Sequence, residues 1–188
     1  MKKGSLIKMV AVLLVLLFSM SVASAASPGE QRQHIRDISD KALLKLYSFQ
    51  PAARGYVENA AGYAVFADWG VKLFLIGGGT GKGMAVNNNT NQETFMNMIN
   101  GEIGFGLGAN TYNAVFIFEN ESALNDFTSN GWQFGGEVTA AATDGVAGAA
   151  YIGAVSVSPG VWMYELTDKG LALELMAKGT KYSKNDLN

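Results

Sequence analysis

The chain has 188 residues, with no cysteine, one histidine, and 14 basic against 16 acidic side chains, a net charge of −2. The lack of cysteine excludes disulfide bonds, thiol catalysis and acylation of a cysteine after export. The slightly acidic balance argues against a nucleic-acid partner, because binding to phosphate backbones requires clustered Lys and Arg. The length favours a single domain.

The first 25 residues have the three-part pattern of a secretory signal peptide. Three lysines lie within residues 1–8, residues 9–18 are apolar and uncharged, and Ala23-Ser24-Ala25 offers small residues for cleavage. We predict cleavage near Ala25, which exports residues 26–188 to the periplasm or the medium with a net charge of −5. A retained membrane anchor is the alternative, because the uncharged run that begins at residue 9 approaches spanning length.

An amphipathic helix is predicted at the start of the exported region. Ser27 and Glu30 form a capping box with Pro28 at the first helical position. Gln50-Pro51 ends the helix, because the residue before a proline avoids the α conformation. Apolar residues recur at spacings of three and four and form one stripe, while Leu44 falls on the opposite face. The stripe consists of Ile35, Ile38, Ala42, Leu46 and Phe49.

A second, short helix is predicted over residues 51–61, with Gly62 as its C-cap. The sequence then changes to short β-branched and aromatic runs that are typical of strands. Asp68-Trp69-Gly70 predicts a turn between two of them, and residues 87–91 predict a hairpin loop. The strands expected around these two turns are residues 63–66, 71–76, 83–86 and 94–99.

The second half of the chain predicts further strands and one helix. Glycines alternate with larger residues over 101–109, a pattern that permits close approach of another backbone. Asn120 caps a helix over 121–129 that points Leu124 and Phe127 inward, and Gly131 closes it. Residues 168–170 predict a tight hairpin. The remaining predicted strands are 114–119, 132–142, 149–157, 161–167 and 171–177. In the first of these, Val115 and Ile117 are expected on one face, and Phe116 and Phe118 on the other.

These elements predict an α+β fold. A curved antiparallel sheet, barrel-like or sandwich-like, is expected to carry the N-terminal helices and one short helix near residue 124 at its ends.

The sequence contains no recognisable catalytic or cofactor motif. His34 is the single histidine and lies on the polar side of the first helix, and no Gly-x-Ser-x-Gly elbow is present. Gly81-Lys82 resembles the end of a P-loop, but Ile76 and Gly83 stand where that motif requires Gly and Ser or Thr. Residues 104–109 fit a loose dinucleotide fingerprint inside a strand pattern. We therefore predict no catalytic, metal or cofactor residue and no enzyme; a hydrolase that uses scattered carboxylates stays open.

An ordered set of motifs resembles the SYLF-domain family, in particular its exported bacterial branch. The set covers essentially all of residues 26–188. It comprises Ala61-Gly62-Tyr63-Ala64-Val65-Phe66, Leu73-Phe74-Leu75, the glycine tract 77–83, Gly104-Phe105-Gly106-Leu107-Gly108, the strand 114–118, Ala123-Leu124-x-x-Phe127 with Gly131-Trp132, and Gly179-Thr180-Lys181-Tyr182.

The resemblance implies binding to lipid or to a membrane surface, as in eukaryotic members, where an amphipathic N-terminal helix and basic residues are implicated. The corresponding residues here are Arg32, Ile35, Arg36, Ile38, Lys41, Ala42, Lys45, Leu46 and Phe49. Fungal members also bind actin, which we do not expect of an exported protein. Two alternatives remain open. The helix stripe can dock on the sheet instead of on lipid, and the protein can be a structural or assembly component that binds a protein of the cell envelope.

Overall fold

The computed structural model describes residues 26–73, 76–103, 108–110, 113–133, 151–167, 170–172 and 180–188. Within these ranges the chain forms three helices and ten strands. The helices are α1 Pro28–Phe49, α2 Ala53–Asn59 and α3 Glu121–Asn130. The strands are β1 Gly62–Leu73, β2 Ile76–Asn87, β3 Glu93–Ile103, β4 Gly108–Asn110, β5 Asn113–Phe118, β6 Trp132–Gln133, β7 Val155–Ser158, β8 Val161–Thr167, β9 Gly170–Ala172 and β10 Lys181–Lys184.

The strands form one curled antiparallel sheet. Its order is β6-β10-β3-β2-β1-β5-β8-β7, with β4 added to β1 and β9 added to β8. All the strand pairs are antiparallel. The sheet curls into a half-barrel, so the predicted α+β fold with a curved antiparallel sheet is confirmed.

The predicted turn at Asp68-Trp69-Gly70 is wrong, because β1 continues through it without a break. Asp68 pairs with Gly81 and Gly70 with Gly79, in an unbroken antiparallel register with β2. The glycine tract is therefore a strand partner of β1. Ladder pairing over twelve residues overrides the local turn preference of the Asp and Gly residues.

Gly62 does not cap α2, which is a second correction. The helix is shorter than predicted and ends at Asn59, and Ala60 is its C-cap in an extended conformation. Gly62 instead begins β1, where a side chain would collide with the Val86 carbonyl oxygen and with Leu124. The need for close approach between backbones, not helix capping, explains this glycine.

Local signals in the sequence predicted several bounds correctly. α1 begins with the predicted capping box, and the Gln50 amide closes its last turn on the Leu46 carbonyl at 2.7 Å. The hairpin between β2 and β3 turns within the predicted Asn-rich loop. α3 is capped by the Asn120 side chain, and Gly131 ends it with φ +69°.

Several predictions fall partly or wholly outside the described residues. These are the leader at 1–25, residues 74–75, the fingerprint at 104–107, the strand 132–142 beyond Gln133, the first part of strand 149–157, the hairpin residues 168–169, and the strand 171–177 beyond Ala172. The single strand predicted over 71–76 is wrong, because Leu73 pairs with Ile76 and the two residues belong to β1 and β2. Within the predicted strand 149–157, residues 151–153 form a turn and β7 begins at Val155.

The two faces of the sheet carry separate cores, because successive side chains of a strand point to opposite sides. The aromatic face, which α3 covers, contains Phe66, Phe116 and Phe118. The α1 face, which α1 and α2 cover, contains Val65, Val115 and Ile117. The alternation predicted for residues 114–118 is thus confirmed.

Candidate functional site

The predicted apolar stripe of α1 is largely in the core of the domain. Ile35, Ala42 and Leu46 are buried, as is the neighbouring Leu43. Ala42 and Leu46 pack with Val115 and Ile117 on the α1 face, and Ile35 packs with Met84, Phe95 and Leu187. While α1 is docked in this way, those three stripe residues contact the protein and not the surroundings.

The predicted basic residues of α1 are divided between the sheet and solvent. The Arg36 guanidinium donates to both carboxylate oxygens of Glu93, with Nη2–Oε2 at 2.7 Å, and lies 5.4 Å from the Phe95 ring centre. The hydrogen bonds to Glu93 raise the pKa of Arg36 above its usual value. Arg32 and Lys45 are half-buried, and Lys41 is exposed. The arginine therefore ties α1 to the start of β3.

Exposed apolar side chains lie at and near the carboxyl end of α1. Phe49 is 47% exposed, and Leu44, one turn and a half earlier, is 62% exposed. Ile152, on the turn before β7, is 60% exposed. The Gln50 side-chain amide donates to the Ile152 carbonyl at 2.7 Å and joins this turn to α1. We call Phe49 and Ile152 the apolar end.

A rigid framework presents Ile152 to solvent. The Tyr164 hydroxyl also donates to the Ile152 carbonyl, at 3.1 Å. The Tyr151 ring packs between Trp162 and Tyr56, with ring centres 5.0 and 4.9 Å away; it is tilted by 33° against Trp162 and lies edge-on to Tyr56. Burial raises the pKa of both Tyr151 and Tyr164 above the usual value, so both hydroxyls keep their protons in neutral solution.

A cleft of about 350 Å³ lies between the amino-terminal half of α1 and the central strands. His34 and Ile38 form its helix wall. The opposite wall comes from three neighbouring strands, and Ala67, Thr80 and Gly81 are its small residues. That wall consists of Ala67, Thr80, Gly81, Lys82, Asn97, Met98 and Ile99.

The exposed residues of the cleft lining are His34, Thr80, Lys82 and Ile99, whereas Ile38 and Ala67 are half-buried. Lys82 Nζ donates to the Gln31 side chain of α1 at 3.2 Å and bridges helix and sheet. Ile38 is half-buried, and Ile99 is 54% exposed at the mouth. Among the described residues that line the cleft there is no carboxylate.

The predicted site residues thus reach three different places. Ile35, Ala42 and Leu46 enter the core, Ile38 lines the cleft, and Phe49 forms half of the apolar end. Sequence reasoning missed Ile152 because it placed this residue inside a strand. Leu44 is exposed on the face of α1 opposite the stripe, as its spacing predicts.

The described residues contain no group of three or more His, Asp and Glu side chains that could hold a metal ion. Within the same part of the chain, no helix has the length and apolar character needed to cross a membrane.

The architecture defines an α+β domain with one curled antiparallel sheet and an N-terminal helix docked on it. Residues 99–188 match the Ysc84 family model, described as a Las17-binding protein actin regulator, which is the SYLF family. Over 155 residues the chain is 33% identical to "Beta cell expansion factor A" of Aeromonas veronii. That match covers 81% of this chain and 57% of the relative, so the chain spans little more than half of the relative's length. The predicted resemblance to the SYLF family is confirmed.

Proposed function

We propose that this protein is an exported, non-catalytic SYLF domain that binds the surface of a lipid membrane through its apolar end. The family supports a lipid- or actin-regulator-related domain. The observation that carries the proposal is the pair of exposed apolar side chains, Phe49 and Ile152, on a hydrogen-bonded framework at one end of the fold. Export after cleavage near Ala25, and the absence of catalysis, are parts of the same proposal.

The docked helix favours contact through this end over insertion of the whole stripe. The docked α1 covers aliphatic side chains of the sheet, including Val115, Ile117 and Leu166. If α1 undocked, these side chains would be exposed to water. Full burial of one such side chain is worth about 1.5–3 kcal/mol. Insertion of Phe49 and Ile152 requires no such loss, because both are already at the surface.

The expected binding is weak and depends on lipid charge. Two half-exposed apolar side chains gain roughly 1–2 kcal/mol each on burial. A lysine near an anionic surface adds about 1 kcal/mol, and Lys41 and Lys45 lie on the last three turns of α1. Exposed Asp37 and Asp40 on the same helix oppose them. These contributions are enough for reversible adsorption, and stable anchoring would require a second signal.

Co-sedimentation with vesicles of phosphatidylcholine and phosphatidylglycerol tests the proposal. The double variant Phe49→Ser with Ile152→Ser should lose most of its binding and keep its circular dichroism spectrum. Ile99→Ser is the matched control, because it removes a similarly exposed isoleucine at a different site. Equal sedimentation of the double variant and the unchanged protein would reject the apolar end as the contact.

A protein partner in the cell envelope is the second candidate. β7 is the last strand of the described sheet order, and within the described part of the chain it pairs on one side only, with β8. A strand edge of this kind can accept a further strand from a partner. A partner recovered by pull-down from envelope extracts would favour this function. A monodisperse protein that recovers no partner would favour the membrane.

A further inference from the structure

The cleft under α1 has the composition of a site for one small amphiphile. Its interior is apolar at Ala67 and Ile38, and a lysine stands at its rim. At about 350 Å³ it lies at the lower end of the range for ligand pockets. At about 30 Å³ per heavy atom, the volume of a water molecule in the liquid, it holds roughly a dozen heavy atoms.

We propose that this cleft binds a single-chain carboxylate of about eight to ten carbons, with its head at Lys82 and its tail between Ile38 and Ile99. The charge at the rim selects the head group. Lys82 has a neutral hydrogen-bond partner in Gln31, and the described lining contains no acid that would compete with an incoming carboxylate. Hydrogen-bonding groups of Thr80, Asn97 and His34 stand in the same lining.

The register of the strands explains why the cleft faces α1. Ala67, Lys82 and Asn97 lie directly opposite one another across β1, β2 and β3. Residues in such a row project from the same side of a sheet, and the contact of Lys82 with Gln31 identifies that side as the α1 face. Thr80 and Ile99 form the next row on this side. The small Ala67 and Thr80 leave the space that the carboxylate tail would fill.

This inference goes beyond the proposed function, because its occupant is one molecule taken from water and its site is separate from the apolar end. A two-chain lipid exceeds the cleft volume. The two sites can therefore fail or succeed independently in experiment.

Titration calorimetry of the protein with sodium octanoate, and with octanamide as the uncharged match, tests the proposal. Octanoate should bind saturably with one site per chain, more tightly than octanamide. Lys82→Met should lower the affinity for octanoate about threefold to fivefold, the range expected of one partly exposed ion pair. It should leave the affinity for octanamide unchanged. Lys82→Arg should restore octanoate binding. Lys41→Met, on the exposed side of α1, is the control and should bind as the unchanged protein does.

A substitution that fills the cleft gives a second, independent test. Ala67→Leu adds three carbons to the wall in a direction that is open, so the protein should fold and lose at least tenfold in affinity for both compounds. Its vesicle sedimentation should be unchanged, whereas the Phe49→Ser and Ile152→Ser variant should bind octanoate normally. Equal binding of octanoate and octanamide, no saturable binding, or undiminished binding by Ala67→Leu would overturn the proposal.

Discussion

The two faces of the sheet are built in different ways. On the aromatic face, Phe116 alone contacts five other rings of the described residues, with centre distances of 5.2 Å to Tyr182, 5.4 Å to Phe127, 5.9 Å to Trp132, 6.0 Å to Phe66 and 6.4 Å to Phe118. The α1 face combines aliphatic packing under Leu46 with an ion pair, a lysine bridge and an open cleft. The comparison teaches that the two faces differ in how they are packed, by ring contacts on one and by aliphatic and polar contacts on the other. Both leave space, because a cleft of about 340 Å³ beside α3 is lined by Phe118, Phe127 and Trp132 of the aromatic face.

The largest effect is expected from breaking the aromatic face. Phe116→Ala should lower the free energy of unfolding by about 4 kcal/mol, because a fully buried ring is replaced by a cavity that its neighbours cannot fill. Unfolding in denaturant measures this change in free energy. Ile99→Ala, at an exposed position, should change stability by less than about 0.5 kcal/mol. A loss below about 2 kcal/mol for Phe116→Ala would remove the proposed difference between the faces.

A smaller effect is expected at the centre of the α1 face. Leu46→Ala should cost about 3 kcal/mol, because Leu46 is fully buried but the helix that carries it can settle into part of the cavity. Leu44→Ala, two residues earlier on the same helix and 62% exposed, is a matched control. We expect little change for it. Equal losses for the two leucines would show that α1 does not dock by the face described.

The ion pair tests how firmly the amino-terminal half of α1 is held. Arg36 and Glu93 are still 36% and 29% exposed, so water screens their attraction. A double-mutant cycle with Arg36→Met and Glu93→Gln should give a coupling energy below about 1 kcal/mol, the usual range for such pairs. A coupling above about 2 kcal/mol would mean that this half of the helix is held as tightly as the half around Leu46.

Much of the fold could be predicted from the sequence where the signals are local. The capping box at Ser27, the stop at Gln50-Pro51 and the caps at Asn120 and Gly131 set helix ends through hydrogen bonds within a few residues. Simple alternation likewise placed residues 114–118 on their two faces. These interactions need no knowledge of the rest of the chain.

The rest depends on contacts between distant residues. Asp68-Trp69-Gly70 has turn composition, and only its pairing with β2 makes it a strand. An apolar stripe on a helix can pack on a lipid surface or on a sheet. The spacing of Ala42 and Leu46 therefore does not predict which of the two buries them. The cleft brings residue 34 to residues 80–82 and 97–99, a juxtaposition that no local pattern contains.

The last effect is absent at neutral pH: it concerns the tyrosines at the margin of the α1 face and appears only in alkali. Burial raises the pKa of Tyr47 to about 12, and it raises the pKa of Tyr63 as well. An unfolded tyrosine ionises near pH 10. The stabilisation from a neutral Tyr47 is therefore complete below pH 10 and is lost as the pH rises from about 10 to about 12.

The free energy of unfolding should accordingly fall across this window, and fall less steeply in Tyr47→Phe. The difference in tyrosinate absorbance between the folded protein and Tyr47→Phe isolates this hydroxyl and should have its midpoint near pH 12. A midpoint near pH 10 would place Tyr47 in full contact with water. Because Tyr47 packs against the buried side chains of the α1 face, that result would also mean that α1 lifts from the sheet in solution, and the membrane could then reach its apolar stripe after all.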